Sequence, residues 1–310
     1  MHGAVRYRVL CLSRNLTFDR AWDTCLVLDG ELIARTNAFS VNHPLGDLIR
    51  DLSNMTVRPV PAEVRKKLRH IEAEIRKVKF ELPEGFDAFG FWTIGLEGSR
   101  VWPFQDRIDR LLVVSPFLSD SRLQELSAIG GPNLLVSRLE ALTAANQTTL
   151  QKFQRVFLLS PNAASESTET EDVGLSGLHA KLFIADAGRD AHVWAGSANA
   201  AFDAFDHNVE FLVQLTGSKS RCGIDAFLSR PDSAAADPVP GFSGAAMARA
   251  PVLDVRYSNG PISAGPGHNA IGFLEAEPLR RRVFSYAARG SGRTAPADDA
   301  DGTVGLDSRR

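Results

Sequence analysis

Apolar and polar positions alternate in two stretches of the chain that follow the same plan. The first, YRVLCLSRNLTFDRAWDTCLVLDG, covers residues 7–30, and the second, HVWAGSANAAFDAFDHNVEFLVQLTG, covers residues 192–217. Each begins with the period-two alternation of a half-buried β-strand, passes through a polar turn, and enters a second apolar strand. The hydrophobic pattern therefore predicts two copies of one strand-turn-strand unit.

The polar residues of the two turns match as well. Each turn contains Ser-x-Asn, then a Phe-Asp pair, then an acid just before the second strand. The matching positions are Ser13 and Asn15 with Ser197 and Asn199, Phe18-Asp19 with Phe202-Asp203, and Asp23 with Glu210. Ser-x-Asn alone is common in turns, but its agreement with the other features favours a true internal repeat.

Between the two copies, the pattern changes from helices to strands that alternate with helices. Helical periodicity covers residues 45–55 and 61–80, and apolar strand runs cover residues 110–117, 133–137 and 156–160. Helices are predicted near residues 119–129 and 148–155, between these strands. Strands alternating with helices are typical of an α/β fold with a largely buried sheet.

Shifts in composition divide the chain into three regions. We expect residues 1–97 to hold the first repeat and a helical insert, and residues 98–228 to form an α/β unit that includes the second repeat. Residues 229–310 are rich in Ala, Pro, Gly, Ser and Arg and predict an irregular, largely disordered region.

Composition and charge exclude several classes of protein. The chain has 310 residues with 35 basic and 37 acidic side chains, so its net charge of −2 gives no global attraction to nucleic acid. No apolar run approaches the roughly 20 residues of a membrane span, and Arg6, Arg8 and Arg14 interrupt any signal peptide. The cysteines Cys11, Cys25 and Cys222 form no C-x-x-C pair, which disfavours a disulfide framework. We expect a cytoplasmic protein.

The segment LHAKLFIADAGRDAHVWAGSANAA carries the candidate chemistry. Strand alternation places His179 and Lys181 on one face, and the turn with Ser197 and Asn199 can return beside them. Two cationic side chains with neutral hydrogen-bond donors suit a phosphate, and a histidine with a carboxylate partner can act as nucleophile or as acid and base. Lys181 would oppose a bound cation, so we predict neither a metal nor a cofactor. A buried, hydrogen-bonded structural role is the alternative for His179.

The spacing of these candidate residues resembles that of a known family. The set His179-x-Lys181-x4-Asp186, followed by Gly196-Ser197-x-Asn199 and Glu210, resembles the HKD signature of the phospholipase D superfamily. The upstream VVSPFLSDSRLQEL is similar to the strand and helix that open a catalytic half in that family. The segment YRVLCLSRNLTFDRAWD resembles the back half of an N-terminal unit, with a turn similar to that of tyrosyl-DNA phosphodiesterase-like members.

The resemblance implies a mixed sheet flanked by helices, two HKD halves related by a pseudo-two-fold axis, and a metal-independent phosphodiesterase. One histidine would attack phosphorus to form a phosphohistidine, and the other would protonate the leaving group. Carried over to this sequence, His179 is catalytic, Lys181 and Asn199 bind phosphate, Glu210 orients a histidine across the pseudo-dyad, and Ser197 belongs to the turn. Asp186 completes the catalytic set as a supporting residue. In the first half, Asn15 would bind phosphate and Asp23 would be the orienting acid.

The first half departs from this pattern, because the counterparts of His179 and Lys181 would fall before Met1. His2 is a poor substitute, since no lysine follows it two residues later. Three explanations stay open: a true start further upstream, a homodimer in which two His179-bearing halves meet, or a non-catalytic role. The substrate is also open between nucleic acid (DNA or RNA, for a nuclease or end-processing enzyme) and lipid, for a phospholipase or phosphatidyltransferase. An inactive anion-binding module is the third alternative.

Overall fold

The structure is a computed structural model, and it describes residues 4–13, 23–96, 101–104, 107–159, 178–228 and 252–254. The strands are β1 Arg6–Leu12, β2 Cys25–Leu32, β3 Val78–Phe80, β4 Ala88–Ile94, β5 Arg110–Val114, β6 Leu134–Ser137, β7 Arg155–Leu159, β8 Leu182–Ala187, β9 Asp190–Gly196, β10 Glu210–Ser218 and β11 Val252–Asp254. The helices are α1 His43–Asp51, α2 Ala62–Ile75, α3 Asp120–Ser127, α4 Leu139–Ala144, α5 Gln147–Leu150, α6 Phe202–Asp206, α7 Lys219–Cys222 and α8 Ile224–Leu228. Single 3-10 turns at Ser40–Asn42 and Leu52–Asn54 flank α1.

Eight strands form one mixed sheet in the order β11-β7-β6-β5-β8-β9-β10-β4. Strands β5, β6 and β7 are parallel, and β8, β9, β10 and β4 follow as an antiparallel series. The run Leu111–Val114 is fully buried, as expected for a central strand covered on both faces. The prediction of an α/β fold with a mixed sheet flanked by helices is confirmed.

The three-stranded sheet β1-β2-β3 packs on one face of the large sheet. Their shared core takes alternate residues from each strand, for example Leu28 from β2, Ile184 from β8 and Val213 from β10. The other face of the large sheet forms a second core with the helical layer, in which Phe183 packs near Leu123 of α3. Two cores on the two faces explain why the central strands read as continuous apolar runs.

The internal repeat is visible in the backbone. Strands β1 and β9 each have seven residues, and β9 begins 184 residues after β1 (190 − 6), the same offset as between Asn15 and Asn199. Each pairs antiparallel with the strand that follows its turn. The thiol of Cys11 lies 3.6 Å from the carbonyl oxygen of Ala195, its own counterpart at a separation of 184. A residue that meets its own counterpart lies close to a two-fold axis, so the two repeats face each other across a pseudo-dyad.

The two repeats differ in what flanks them. Strand β9 lies between β8 and β10, whereas β1 pairs with β2 alone among the described strands. The first repeat therefore has, within the described residues, no strand in the position that β8 takes beside β9.

Some elements differ from their predictions. The helix predicted over residues 61–80 ends at Ile75, where the Asn42 side chain donates to the carbonyls of Ile75 and Val78, at 2.9 and 2.7 Å. The chain then continues as β3. The sequence pattern of β4 is too weak to predict a strand. This strand belongs to the predicted first region, residues 1–97, yet it pairs with β10 of the second region. The three-region division stays a prediction, and most of residues 229–310 lie outside the described residues.

Two findings bear on the excluded classes. None of the described helices has both the length and the apolar content that a membrane crossing needs. Cys11, Cys25 and Cys222 are all free thiols.

Candidate active site

His179 and Lys181 lie immediately before β8, at the end of the sheet where β9 enters the Ser-x-Asn turn. Leu178 and Ala180 point into the core between the two sheets, as do Leu182 and Ile184 further along. His179 and Lys181 occupy the alternate positions, and it stays a prediction that their side chains share one face.

Lys181 joins the two repeats. Its side chain is 6% exposed, and its ammonium donates to the carbonyl of Ser13 at 2.7 Å and to that of His179 at 3.2 Å. Ser13 directly follows β1 in the first repeat. The first repeat's Ser-x-Asn turn thus begins directly beside Lys181, which precedes the second repeat.

Ser197 and Glu210 form a closed corner at the start of β10. The Ser197 hydroxyl donates to a carboxylate oxygen of Glu210. It also accepts from the backbone N–H of Phe211 at 3.0 Å, while the Ser197 N–H donates to the carbonyl of Phe211 at 3.0 Å. Asn208 donates to the second carboxylate oxygen at 3.2 Å. The acid is therefore fixed in place by its own turn.

The first repeat builds the same corner from Ser13, Asp23 and Thr24. The Ser13 hydroxyl lies 3.4 Å from a carboxylate oxygen of Asp23 and accepts from the Thr24 N–H at 2.9 Å. The Ser13 N–H donates to the carbonyl of Thr24 at 2.9 Å. Ser13 matches Ser197, and Asp23 matches Glu210, atom for atom. In both repeats the serine holds the acid, a contact that the sequence pattern alone does not reveal.

Burial dominates the electrostatics of Glu210. It raises the pKa of this carboxyl above its ordinary value, while the hydrogen bonds from Ser197 and Asn208 and the charge of Lys181 lower it. Burial thus favours the protonated form of Glu210, and the charge of Lys181 reduces the rise in its pKa.

Asn199 has an unsatisfied polar atom. Its buried amide oxygen has no hydrogen-bond partner among the described residues. Buried amide atoms are normally paired, so this unpaired oxygen makes Asn199 a candidate for contact with a ligand.

Asp186 lies elsewhere. It stands at the far end of β8 from Lys181, about 16 Å along the strand at its usual rise per residue. One carboxylate oxygen accepts from the Ile224 N–H at 3.0 Å, and the other lies 3.6 Å from the Arg110 guanidinium. Burial raises the pKa of Asp186, against lowering by the Ile224 hydrogen bond and by Arg110. It anchors α8 to the sheet and does not join His179 and Lys181.

The remaining predicted residues are placed as follows. Asn15 and His2 lie outside the described residues. Among the residues that the structure describes, no three His, Cys, Asp or Glu side chains come together as metal ligands.

The sequence reading missed Ser115, which is fully buried at the end of β5. Its hydroxyl accepts from the Ala200 N–H at 2.9 Å and donates to the carbonyl of Phe117 at 2.7 Å. Ser115 therefore ties the loop after β5 to the turn that carries Asn199. A polar residue directly after an apolar strand, in VVSPF, is the signal that could have found it.

No protein-family model and no curated protein sequence matches the chain. Among solved structures, one that resembles it is Nuc, a phospholipase D family member from Salmonella typhimurium, at 15% identity and a TM-score of 0.28. That match covers 42% of this chain and 85% of Nuc. NucT from Helicobacter pylori is 17% identical with a TM-score of 0.30, covering 41% of this chain and 84% of NucT. Because both TM-scores lie below 0.5, these likenesses carry no argument about function.

Proposed function

We propose that this chain is a metal-independent phosphodiesterase of the phospholipase D type that acts on nucleic acid. The observation that carries the proposal is the meeting of the two repeats at Lys181, which donates to Ser13 of one repeat and whose charge acts on Glu210 of the other. A buried cation that contacts one Ser-acid corner and acts electrostatically on the other favours a phosphate anion.

In the proposed reaction, an imidazole nitrogen of His179 attacks phosphorus. The N–P bond forms as the P–O bond to the leaving oxygen breaks, and a general acid protonates that oxygen. Lys181 and Asn199 stabilise the charge on the equatorial oxygens, while Glu210 orients a histidine. Water then attacks the phosphohistidine, the N–P bond breaks, and a phosphate monoester leaves. In the first repeat, Asn15 would bind phosphate and Asp23 would be the orienting acid.

The reaction needs a general acid in addition to the nucleophile His179. The described histidines other than His179 contact partners elsewhere: His43 with Arg76, His70 with Glu74, His192 with Thr216 and His207 with Asp203. A second histidine would have to come from outside the described residues or from a second copy of the chain. Without one, the chain would be an anion-binding module without turnover, which is the alternative function.

The test is hydrolysis of a chromogenic phosphodiester with excess chelator, comparing the full chain with His179→Ala. His70→Ala, which removes an exposed histidine on α2, is the matched control. We expect turnover in the chain and the control, none in His179→Ala, and an acid-labile phosphohistidine in the quenched enzyme. Strict dependence on added divalent metal would overturn the mechanism, and phosphodiester binding without turnover in any variant would favour the binding module.

The substrate class is tested separately with oligonucleotides and phospholipid vesicles. We expect turnover of the oligonucleotide in a reaction that His179→Ala abolishes. Release of a lipid headgroup with no oligonucleotide cleavage would favour the phospholipase alternative.

A further inference from the structure

The loop after β5 lies against the turn that carries Asn199. Leu118 forms a parallel bridge with Ala200, and the Ser119 N–H donates to the carbonyl of Ala200 at 3.1 Å. The Ser115 hydroxyl adds the two hydrogen bonds described above. The position of Phe117, between Ser115 and Leu118, is therefore fixed relative to the candidate site.

The pairing of β5 with β8 relates the position of Phe117 to that of His179. Val114 is paired with Leu182 in the antiparallel β5–β8 ladder. Phe117 follows β5 and His179 precedes β8, so both lie beyond this end of the β5–β8 ladder. The loop that follows β5 and the segment with the candidate nucleophile are therefore at the same end of the large sheet.

The exposed aromatic ring of Phe117 makes a cation–π contact with Arg138. The ring is 46% exposed, and the Arg138 guanidinium carbon lies 4.5 Å from the ring centroid. The Arg138 Nε donates to the carbonyl of Pro116 at 3.1 Å, which orients the guanidinium. Among the described residues no carboxylate pairs with Arg138, unlike the buried Arg122, which pairs with Glu125 and Asp206.

We propose that Phe117 and Arg138 form a nucleotide subsite beside the scissile phosphodiester, in which a nucleobase stacks on Phe117 and the guanidinium of Arg138 binds the neighbouring phosphate. Aromatic rings stack on bases without regard to sequence, and arginine recognises phosphate through its planar fork of donors. The inference rests on the proposed function and names its substrate as single-stranded nucleic acid. The local cation would supply the attraction that the net charge of −2 does not.

The test is equilibrium binding of two fluorescent oligomers to the full chain, read by anisotropy with chelator present. One is a short oligothymidylate, and the other is an abasic oligomer of the same length and charge; gels verify that both stay intact. Phe117→Ala should weaken oligothymidylate binding on the order of tenfold and leave the abasic oligomer unaffected. Phe117→Trp should retain binding, while Phe117→Leu, which keeps apolar bulk without a ring face, should behave like Phe117→Ala.

Arg138→Gln should weaken binding of both oligomers and lower the slope of log affinity against log salt by about 0.7 for one lost phosphate contact. The matched control is the pair formed by Arg35 and Phe39, where the guanidinium carbon lies 3.9 Å from the ring centroid. Arg35 and Phe39 follow the C-terminal end of β2, whereas the Ser13–Asp23 corner lies at the N-terminal end of β2. The control pair is therefore at the opposite end of this strand from the candidate site. Phe39→Ala and Arg35→Gln should leave binding of both oligomers unchanged.

Three results would overturn the subsite. These are no binding of either oligomer by the unmodified chain, equal losses for both oligomers in Phe117→Ala, or binding to anionic phospholipid vesicles that Phe117→Ala weakens while oligomer binding is unaffected. Because the readout is binding, it is independent of turnover. Full activity in His179→Ala would overturn the proposed phosphodiesterase mechanism, whereas the binding results above would overturn the subsite, so the two failures can be told apart.

Discussion

Two buried carboxylates of the large sheet, Glu210 of β10 and Asp186 of β8, have pKa values raised by burial and serve different purposes. Glu210 lies in a corner with Ser197 and is acted on by the charge of Lys181. Asp186 lies beside Arg110 and the start of α8. Neighbours, and not the shift itself, separate a candidate site residue from a structural one.

Glu210→Gln should change how stability depends on pH. Because the folded pKa of Glu210 is raised above its ordinary value of 4.5, protonated Glu210 stabilises the fold, and this contribution is lost as the pH rises through the folded pKa. Glutamine keeps an acceptor for Ser197 and does not titrate. The free energy of unfolding of the variant, relative to the unmodified chain, should therefore rise with pH above 4.5.

Urea unfolding measured across this pH range checks the expectation. Glu63→Gln, on the exposed first turn of α2, is the control and should show no such trend. A relative stability that falls with rising pH would mean that the charged form of Glu210 is favoured by its partners, and would contradict the dominance of burial.

Lys181→Met should destabilise the fold as well as the proposed reaction. The change leaves the Ser13 carbonyl without a donor at 2.7 Å and removes the charge that restrains Glu210. An unsatisfied buried acceptor costs about 1–3 kcal/mol, so the free energy of unfolding should fall by that amount. Lys152→Met, at an exposed position, is the matched control. Unchanged stability in Lys181→Met would show that Lys181 does not join the repeats.

At the scale of elements, the Gly-Ser pair between β9 and the turn has a steric origin. A Cβ at Gly196 would lie 2.1 Å from the carbonyl oxygen of Phe211, the same residue whose N–H and carbonyl bond Ser197. The close approach of β9 and β10 thus requires glycine at the residue before the serine. The first repeat has Leu12 at this position, so its corner closes with a different backbone approach.

Gly196→Ala should open this corner. The new methyl group meets backbone that cannot rotate away, and overpacking of this kind costs about 1–3 kcal/mol. Thermal unfolding should show the loss, while Gly90→Ala on β4, whose Cβ would meet nothing closer than 3.8 Å, should be nearly neutral or mildly stabilising. An unaltered melting temperature for Gly196→Ala would contradict the close approach.

At the scale of the whole molecule, periodicity predicted the repeat, the α/β class and most strands of the large sheet. Strong signals such as RLLVVSPF arise because central strands are buried on both faces. The sequence predicts helix at β3, because Val78 follows a long helical pattern, and the segment forms a strand through its pairing with β2. The site residues came from spacing, but spacing also included Asp186, whose contact with the start of α8 is a tertiary one that the sequence does not show. Ser115 and the Ser-acid corners are tertiary contacts that spacing does not encode.

The pseudo-dyad also bears on the homodimer, which stays a proposal. Symmetric pairing of two His179-bearing halves would need the face of the large sheet on which β1, β2 and β3 already pack. Because Cys11 already meets Ala195 within one chain, two copies cannot meet at this face without displacing the small sheet. We therefore expect the pseudo-dyad to be an intrachain contact in solution.

An Ala195→Cys variant tests this directly. Oxidation should join the new cysteine to Cys11 within one chain, giving a 33.7 kDa species on a non-reducing gel with an internal cross-link in its peptide map. Since burial raises the pKa of Cys11 to about 12, the oxidation needs excess oxidant at alkaline pH. Cys11→Ser in the same variant should abolish the cross-link. A dimeric species joined through the two new cysteines, and surviving Cys11→Ser, would instead show that two copies meet at this face and that a second His179 can reach the site.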